Sequence, residues 1–457
     1  MKRDNIYLET LRKKRFEKYK KRLRRKQRSR RYTASPRALG RGQLDLLVTF
    51  LREHFKGEYK GERDGADHAY VVKIPEVFSF TYNPGPTFNV IRSVIEICRR
   101  RDARSLRFDH SKCTRMDLGA STVLDVVVLR LLREWRARGG PFGLGGVFPE
   151  NERVKNLFQC MGMTKHLKVK GAEAPVEFEQ NVVPFELFAG KRTSGSHLRG
   201  GSHQELAASK LVRYLNLCFE KAGFRLGIKG QRHVVKWAGE VITNAEEHSG
   251  QNEWFAIGYM VPPDPKNVAP SNLVGECQLV IFNFGKSIFQ SIIDPNTPAG
   301  TRDEISRLAA THSRKKFFFA ENFTQADLCT LYALQDGVSR FSQRPGAISR
   351  GKGTVQMIQA FQKLGSSAAE PEPNMTLLSG RTRILFNSKY SLVPVAVPGG
   401  TRSVIAFNEN NDLEDKPDSA NVHTVSGTFP GTLLSFKFFV DKGFLEKLST
   451  EPANVVL

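Results

Sequence analysis

Between residues 105 and 162 the apolar pattern changes period repeatedly. SLRFD (105–109) alternates as a half-buried strand does, whereas STVLDVVVLRLLREWRA (121–137) is nearly continuously apolar over a length that suits a buried helix, stopped at Gly139 and Gly140. A short strand, FGLGGV (142–147), and a helix over 151–161 closed by Gly162 come next. Strand, helix, strand, helix with short links predicts an α/β layer. Further on, Leu206, Leu211, Leu215 and Phe219 give a helix over 204–222, and Ala238, Val241, Ile242 and Ala245 fall at i, i+3, i+4 and i+7, predicting a second helix with one buried stripe. Residues 253–261, 276–283 and 429–440 read as strands. Between them, the long connection 286–350 has a partly helical rhythm at Leu328, Leu331, Tyr332 and Leu334. From its pattern alone it reads as an insertion packed on the core.

Breaker-rich stretches divide this pattern. YTASPRALGRG (32–42) separates a first segment from the folded chain, and the Gly- and Ser-rich AGKRTSGSHLRGGSH (189–203) has almost nothing to bury. The organisation predicted for the 457 residues is an arm at 1–42, helical or disordered, domains at 43–188 and 204–445 joined by the linker 189–203, and a tail at 446–457.

Charge sharpens the reading of the arm. Sixteen of the 70 Lys and Arg lie in residues 1–31 against Asp4, Glu9 and Glu17, a local charge of +13 that leaves +11 for the other 426 residues. Such a segment attracts nucleic acid or an acidic protein surface by screened Coulomb forces and counterion release, and reads otherwise as a solubilising tail. Ile6, Leu8, Leu11, Phe16, Tyr19 and Leu23 punctuate it at loosely helical spacing. No stretch approaches the ~18–20 apolar residues of a membrane helix, and residues 1–30 lack the apolar run of a signal peptide. Six well-separated cysteines (Cys98, Cys113, Cys160, Cys218, Cys277 and Cys329) without a CxxC pair argue against a zinc module and for packed, reduced thiols. The sequence therefore predicts a cytoplasmic protein without a membrane partner.

Candidate chemistry concentrates after residue 237. In WAGEVITNAEEHSG (237–250), Glu240, Asn244, Glu247 and His248 share a helical face beside the apolar stripe, so a carboxylate and an amide four residues apart address one ligand. An amide oxygen is a hard donor for Mg²⁺, and a carboxylate there can order or deprotonate a water. The strand over 276–283 ends in Asn283-Phe284-Gly285, where a polar side chain meets a glycine that admits close backbone approach. SRGKGTVQMIQAF (349–361) sets Gly351, Lys352, Gly353 and Thr354 before an apolar-patterned helix, a turn that can offer N–H groups and one cation to phosphate. FPGTLLSFKFFV (429–440) closes the series with Thr432 opening a strand. By contrast SHQEL (202–206), with His203, lies too near Asn244 to leave room for a histidine-kinase dimerisation hairpin.

Two family resemblances follow. LRFDHSKCTRMDLGASTVLDVVVLRLL and GLGGVFPENERVKNLFQCMGM resemble, over residues 75–172, the sulfate-transporter and anti-anti-sigma (STAS) domain. Where regulatory members of that family carry a phosphorylatable serine, this chain has Asp117-Leu118-Gly119-Ala120; Ser121 and Thr122 stand one or two positions off and read also as helix N-terminal caps. The order ExxxN on a helix, a polar-x-Gly strand end, a glycine turn and a Gly-Thr strand over 204–442 resembles the Bergerat ATP-binding fold of the GHKL superfamily, and the 240–248 segment is similar to that of anti-sigma-factor serine kinases. The fold class this implies is α/β (α+β): a basic N-terminal arm, a STAS-like α/β domain and a Bergerat-fold α/β sandwich. The resemblance implies ATP and Mg²⁺ as cofactors, Asn244 as the metal ligand and Glu240 as general base. It also implies a nucleotide site formed by Asn244, His248, Asn283, Gly285, Gly351, Lys352, Gly353, Thr354 and Thr432, with Asn283 where relatives read the adenine amino group.

The function implied is an ATP-binding regulatory protein that controls a bound partner in a partner-switch manner, as an ATPase, a serine/threonine protein kinase or a non-turning-over switch, with a homodimer compatible. The alternative is a nucleic-acid-associated protein whose arm carries the function and whose nucleotide fold senses or scaffolds. If about six to ten arm cations meet phosphates at once, duplex affinity falls ~10³–10⁵-fold between about 50 and 200 mM salt. Deleting residues 1–31 should remove most retention in a mobility-shift assay, and an unchanged salt slope after deletion would show the arm to be passive.

Overall fold

The computed structural model describes residues 31–34, 46–55, 63–64, 69–100, 102–137, 142–169, 171–191, 203–221, 223–225, 227, 231–232, 235, 239, 241–245, 253–262, 273–314, 323–336, 354–355, 357–359, 374–397 and 400–442. They form two units: one of residues 1–78, 89–116 and 121–176, the other of residues 177–457 together with the short stretches 79–88 and 117–120. Among the described residues no helix is long and apolar enough to cross a membrane. All six cysteines are buried.

The first unit carries β1 (Arg31–Ala34), β2 (Arg63–Asp64), β3 (Ala69–Lys73), β4 (Val77–Phe78), β5 (Ser105–Asp109), β6 (Arg115–Met116) and β7 (Gly143–Val147). Its main sheet runs β1-β7-β5-β3-β2, parallel through β3, β5 and β7 and antiparallel at both edges, while β4 and β6 pair separately. The helices are α1 (Leu46–His54), α2 (Pro84–Arg99, of this unit from residue 89 on), α3 (Leu118–Ala137, of this unit from residue 121 on), α4 (Glu152–Met161) and α5 (Met163–His166). Val123, Leu124, Val126, Val127, Val128 and Leu131 are all buried, as the continuous apolar run requires. Asn151 starts α4 by accepting from the Val154 N–H at 3.1 Å. Residues 31–34 of the expected arm form a strand, because β7 offers an open ladder at the sheet edge; residues 1–30 and 35–42 lie outside the described residues.

The second unit adds α6 (Val176–Asn181, which begins on the last residue of the first), β8 (Val183–Lys191), α7 (His203–Glu220), β9 (Glu253–Val261), β10 (Leu273–Phe284), α8 (Ile288–Ile292), α9 (Ala299–Arg314), α10 (Gln325–Ala333), β11 (Asn374–Phe386), β12 (Val393–Val397), β13 (Gly400–Val404) and β14 (Val422–Asp441). Its large sheet runs β11-β14-β10-β9-β8 and is antiparallel throughout. One face of the strands enters a core at period two: Cys277, Leu279 and Ile281 of β10 and Phe436, Phe438 and Val440 of β14. Leu211, Leu215 and Cys218 of α7, Val241 and Ile242 of the helical residues 241–245, and Met357 and Ile358 complete that core. The alternate positions carry a phenylalanine series, with Phe255–Phe282 at 5.0 Å, Phe282–Phe284 at 5.6 Å and Phe284–Phe429 at 5.8 Å between ring centroids.

Two expectations are corrected here. The domain boundary expected at 188/189 falls inside β8, which pairs with β9; of the expected linker, residues 189–191 are strand and His203 opens α7, while 192–202 lie outside the described residues, as does the tail 446–457. Nor do Ser121 and Thr122 cap α3. The helix begins at Leu118, and Asp117 accepts from the Ala120 N–H at 2.6 Å, so its carboxylate supplies the N-terminal acceptor. The same carboxylate takes the Ser79 hydroxyl at 2.5 Å and the Thr81 N–H at 3.3 Å, which joins 79–88 to 117–120. Burial raises the Asp117 pKa, and these hydrogen bonds pull the other way.

His110, at the end of β5, is fully buried beside Phe158 (4.7 Å between centroids), and desolvation pushes its pKa from 6.5 to about 4 against weaker opposing pulls from the Val147 carbonyl and Asp109. The unfolded chain then binds a proton that the folded chain refuses. Its contribution is complete above pH ~6.5 and is lost as pH falls toward 4, a swing of about 3 kcal/mol. In urea unfolding, His110→Leu should flatten the stability–pH profile across that window relative to wild type.

Candidate functional site

The last residues of β10 meet β14 and the helical residues 241–245 at one corner of the second unit. Asn283 stands opposite Thr432 on one side and Trp254 on the other, and is 3% exposed. Its Oδ1 accepts from the Thr432 backbone N–H at 3.0 Å, and its Nδ2 donates to the Ala245 carbonyl at 2.6 Å. A backbone N–H can only donate and a carbonyl can only accept, so the orientation of the amide is fixed by its partners. Asn244, directly before Ala245, is thereby held to the strand end and is half-buried.

Two glycines let the chains come this close. Gly431 (φ +138°) lies so near β10 that a Cβ would stand 2.1 Å from the Asn283 carbonyl oxygen, and Gly285 (φ +141°) turns the chain out of β10 while its N–H donates to the Pro430 carbonyl at 3.0 Å. Facing Thr432 across β11 is Ser379, 2% exposed, whose hydroxyl lies 2.9 Å from that of Thr432. It also contacts the Gly431 carbonyl at 3.2 Å and the Ile288 N–H, the first of α8, at 2.8 Å. Ser287 caps α8 reciprocally with Gln290. Next to Gly285, Lys286 bonds Asp294; that hydrogen bond, then the Asn296 N–H, hold the Asp294 carboxyl well below the usual range.

Of the sequence-predicted residues, Asn244, Asn283, Gly285 and Thr432 converge here. Thr354 is helical and half-buried, on an element whose Met357 and Ile358 enter the same core. Glu240, His248, Gly351, Lys352 and Gly353 lie outside the described residues. Asn283, expected where relatives read the adenine amino group, has its oxygen on the Thr432 N–H and one amide proton on the Ala245 carbonyl, so it joins helix to sheet. Ser379 was not singled out by motif. The signal that could have found it is a Ser-Gly step inside the apolar run NMTLLSGRTRILF, and Gly380 (φ +61°) indeed marks an irregularity in the β11–β14 register.

Among the described residues no three His, Cys, Asp or Glu side chains gather as a metal cage. Asn244 carries one amide oxygen, a hard donor of the kind that Mg²⁺ takes. Comparison of the chain with protein-family models, with curated proteins and with solved structures gives no match.

Asn283→Asp replaces the donor facing the Ala245 carbonyl by a second acceptor. It should cost about 1–3 kcal/mol in urea unfolding at neutral pH, with part recovered on acidification, where a protonated carboxyl donates again. Unchanged stability would show that the amide bridge contributes nothing.

Proposed function

We propose that the second unit binds Mg-ATP as a Bergerat-type module and that the protein uses this binding to control a partner. The observation that carries the reading is the bridge from Asn283 to the Ala245 carbonyl and the Thr432 N–H, since it ties three dispersed motifs to one corner. An antiparallel sheet with helices against one face supports it. In this reading Asn244 presents its amide oxygen to the metal, and Glu240, one turn earlier, orders or deprotonates the attacking group. Gly351, Lys352, Gly353 and Thr354 hold phosphate oxygens, with His248 and Gly285 lining the same site. Bound Mg²⁺ would supply charge neutralisation between the phosphates.

The first unit is read as a STAS-like domain fused in the same chain. Ser121 and Thr122 are 8% and 1% exposed and lie inside α3, which disfavours either as a phosphoacceptor. Conformational control of a bound partner therefore fits better than self-phosphorylation.

Titration calorimetry of the full chain tests this. Wild type should bind Mg-ATP, and Asn244→Ala should reduce binding below detection with an unchanged circular dichroism spectrum; equal affinities would refute the assignment. Glu240→Gln should keep binding and lower any phosphate release or phosphotransfer by about 10²–10⁴-fold.

A further inference from the structure

Thr324 and Asp327 open α10 with a reciprocal cap, and the cap uses only one of the two Asp327 oxygens. Oδ2 accepts from the Thr324 N–H at 2.9 Å, from the Thr324 hydroxyl at 2.6 Å and from the Thr424 hydroxyl of β14. Oδ1 has no partner among the described residues, although Asp327 is fully buried. A second polar group in the same state stands on the facing sheet. Thr382 of β11 lies directly opposite Thr424 in the β11–β14 register, so the two side chains share a face. It too is fully buried, and its hydroxyl has no partner among the described residues. Ile384 and Val422, two positions along each strand on that face, belong to the apolar core, so the surroundings are dry.

Charge decides what these groups require. The Thr324 N–H can only donate to Oδ2, and a proton on Oδ1 would find no acceptor, so the contacts suit the ionised carboxylate. No Lys, Arg or His among the described residues pairs with it. A bridging water would satisfy Oδ1 and Thr382 and still leave one negative charge uncompensated in an apolar interior. We infer that Asp327 and Thr382 hold a monovalent alkali cation, Na⁺ or K⁺, between α10 and the β11–β14 ladder. The donors are hard oxygens throughout, and one carboxylate among neutral hydroxyls balances one positive charge, whereas divalent sites draw on more carboxylates. Thr330, on the next turn of α10 and fully buried, gives its proton to the Ala326 carbonyl at 2.7 Å and keeps its lone pairs on the same helix face. The ion ties α10 to two strands of the sheet. None of these groups serves the corner of Asn244, Asn283 and Thr432, so the inference goes beyond the nucleotide reading and does not depend on it.

Thermal unfolding of the full-length protein without nucleotide tests this, followed by circular dichroism in NaCl, KCl and choline chloride, with choline making up equal ionic strength. Wild type should unfold at higher temperature in at least one alkali salt than in choline, by about 3 °C for each tenfold rise in that salt above its Kd, and the salt that acts identifies the ion. Thr382→Val, which keeps the shape of the side chain and leaves the cap untouched, should lose most of that rise, and Thr382→Ser should keep it. Equal midpoints in all three salts overturn the inference, because the carboxyl then needs no cation. The same rise in Thr382→Val overturns it as well, because the ion then binds elsewhere. Should Thr382→Val fail to fold, Asp327→Asn, whose amide oxygen can still take the cap, is read in the same way: loss of the rise supports the site and an undiminished rise refutes it.

Discussion

A buried primary amide is satisfied only where one neighbour gives a proton and another takes one, and the corner of the second unit is organised around that requirement. Asn283 meets a strand N–H on β14 and a carbonyl among the helical residues 241–245, so sheet and helix are joined by one side chain rather than by apolar packing alone. The glycines are consequences of the same approach. At Gly431 any side chain would enter the main chain of β10, and without that proximity the Thr432 N–H could not reach the amide. A carboxylate at 283 would serve the strand and repel the helix. The amide at 283 thus has a physical reason.

Period and breakers made most local elements legible. The strands at 105–109, 253–261, 276–283 and 429–440 and the helices near 121–137, 151–161 and 204–222 were readable because their apolar positions repeat within one element. Strand β8 was not. VPFELFAGK carries a proline and a glycine, forms a single ladder at the sheet edge, and gains its identity from β9 far along the chain. The start of α3 was displaced for a related reason: Ser121 and Thr122 have the composition of caps, but the first-turn acceptor is the carboxylate of Asp117, which also binds Ser79. Spacing likewise grouped Asn244, Asn283 and Thr432 at one site. It could not show which side-chain atoms the main chain already occupies, and nothing local assigns Ser379 to Thr432.

Asp117 illustrates how a turn with a regulatory look becomes architectural. Its burial opposes ionisation, and hydrogen bonds from Ser79, Ala120 and Thr81 oppose that penalty. Those bonds hold 79–88 beside 117–120, and Thr81 extends the join to β11 through the Thr376 hydroxyl at 3.1 Å and through Arg383, which donates to the Thr81 carbonyl at 2.6 Å. Phe80 then meets the phenylalanine series edge-to-face at Phe429, 5.8 Å between centroids. Residues that sequence order assigns to the first half are therefore part of the second unit's own packing.

The two candidate sources of affinity obey different physics. The charge of residues 1–31 would act through solvent, and any hold it had on phosphate would weaken steeply with salt, because each phosphate contact returns a counterion. At the corner Asn283 and Ser379 are buried and Thr432 is half-buried, and the three act through short neutral hydrogen bonds that screening reaches little. A polyanion held by the arm and a nucleotide held at the corner would consequently respond to separate variables, ionic strength for one and hydrogen-bond complementarity for the other. A change on β11 or β14 would then leave the charge of the arm as it is, and a change in the basic segment would leave undisturbed the amide that holds the corner together.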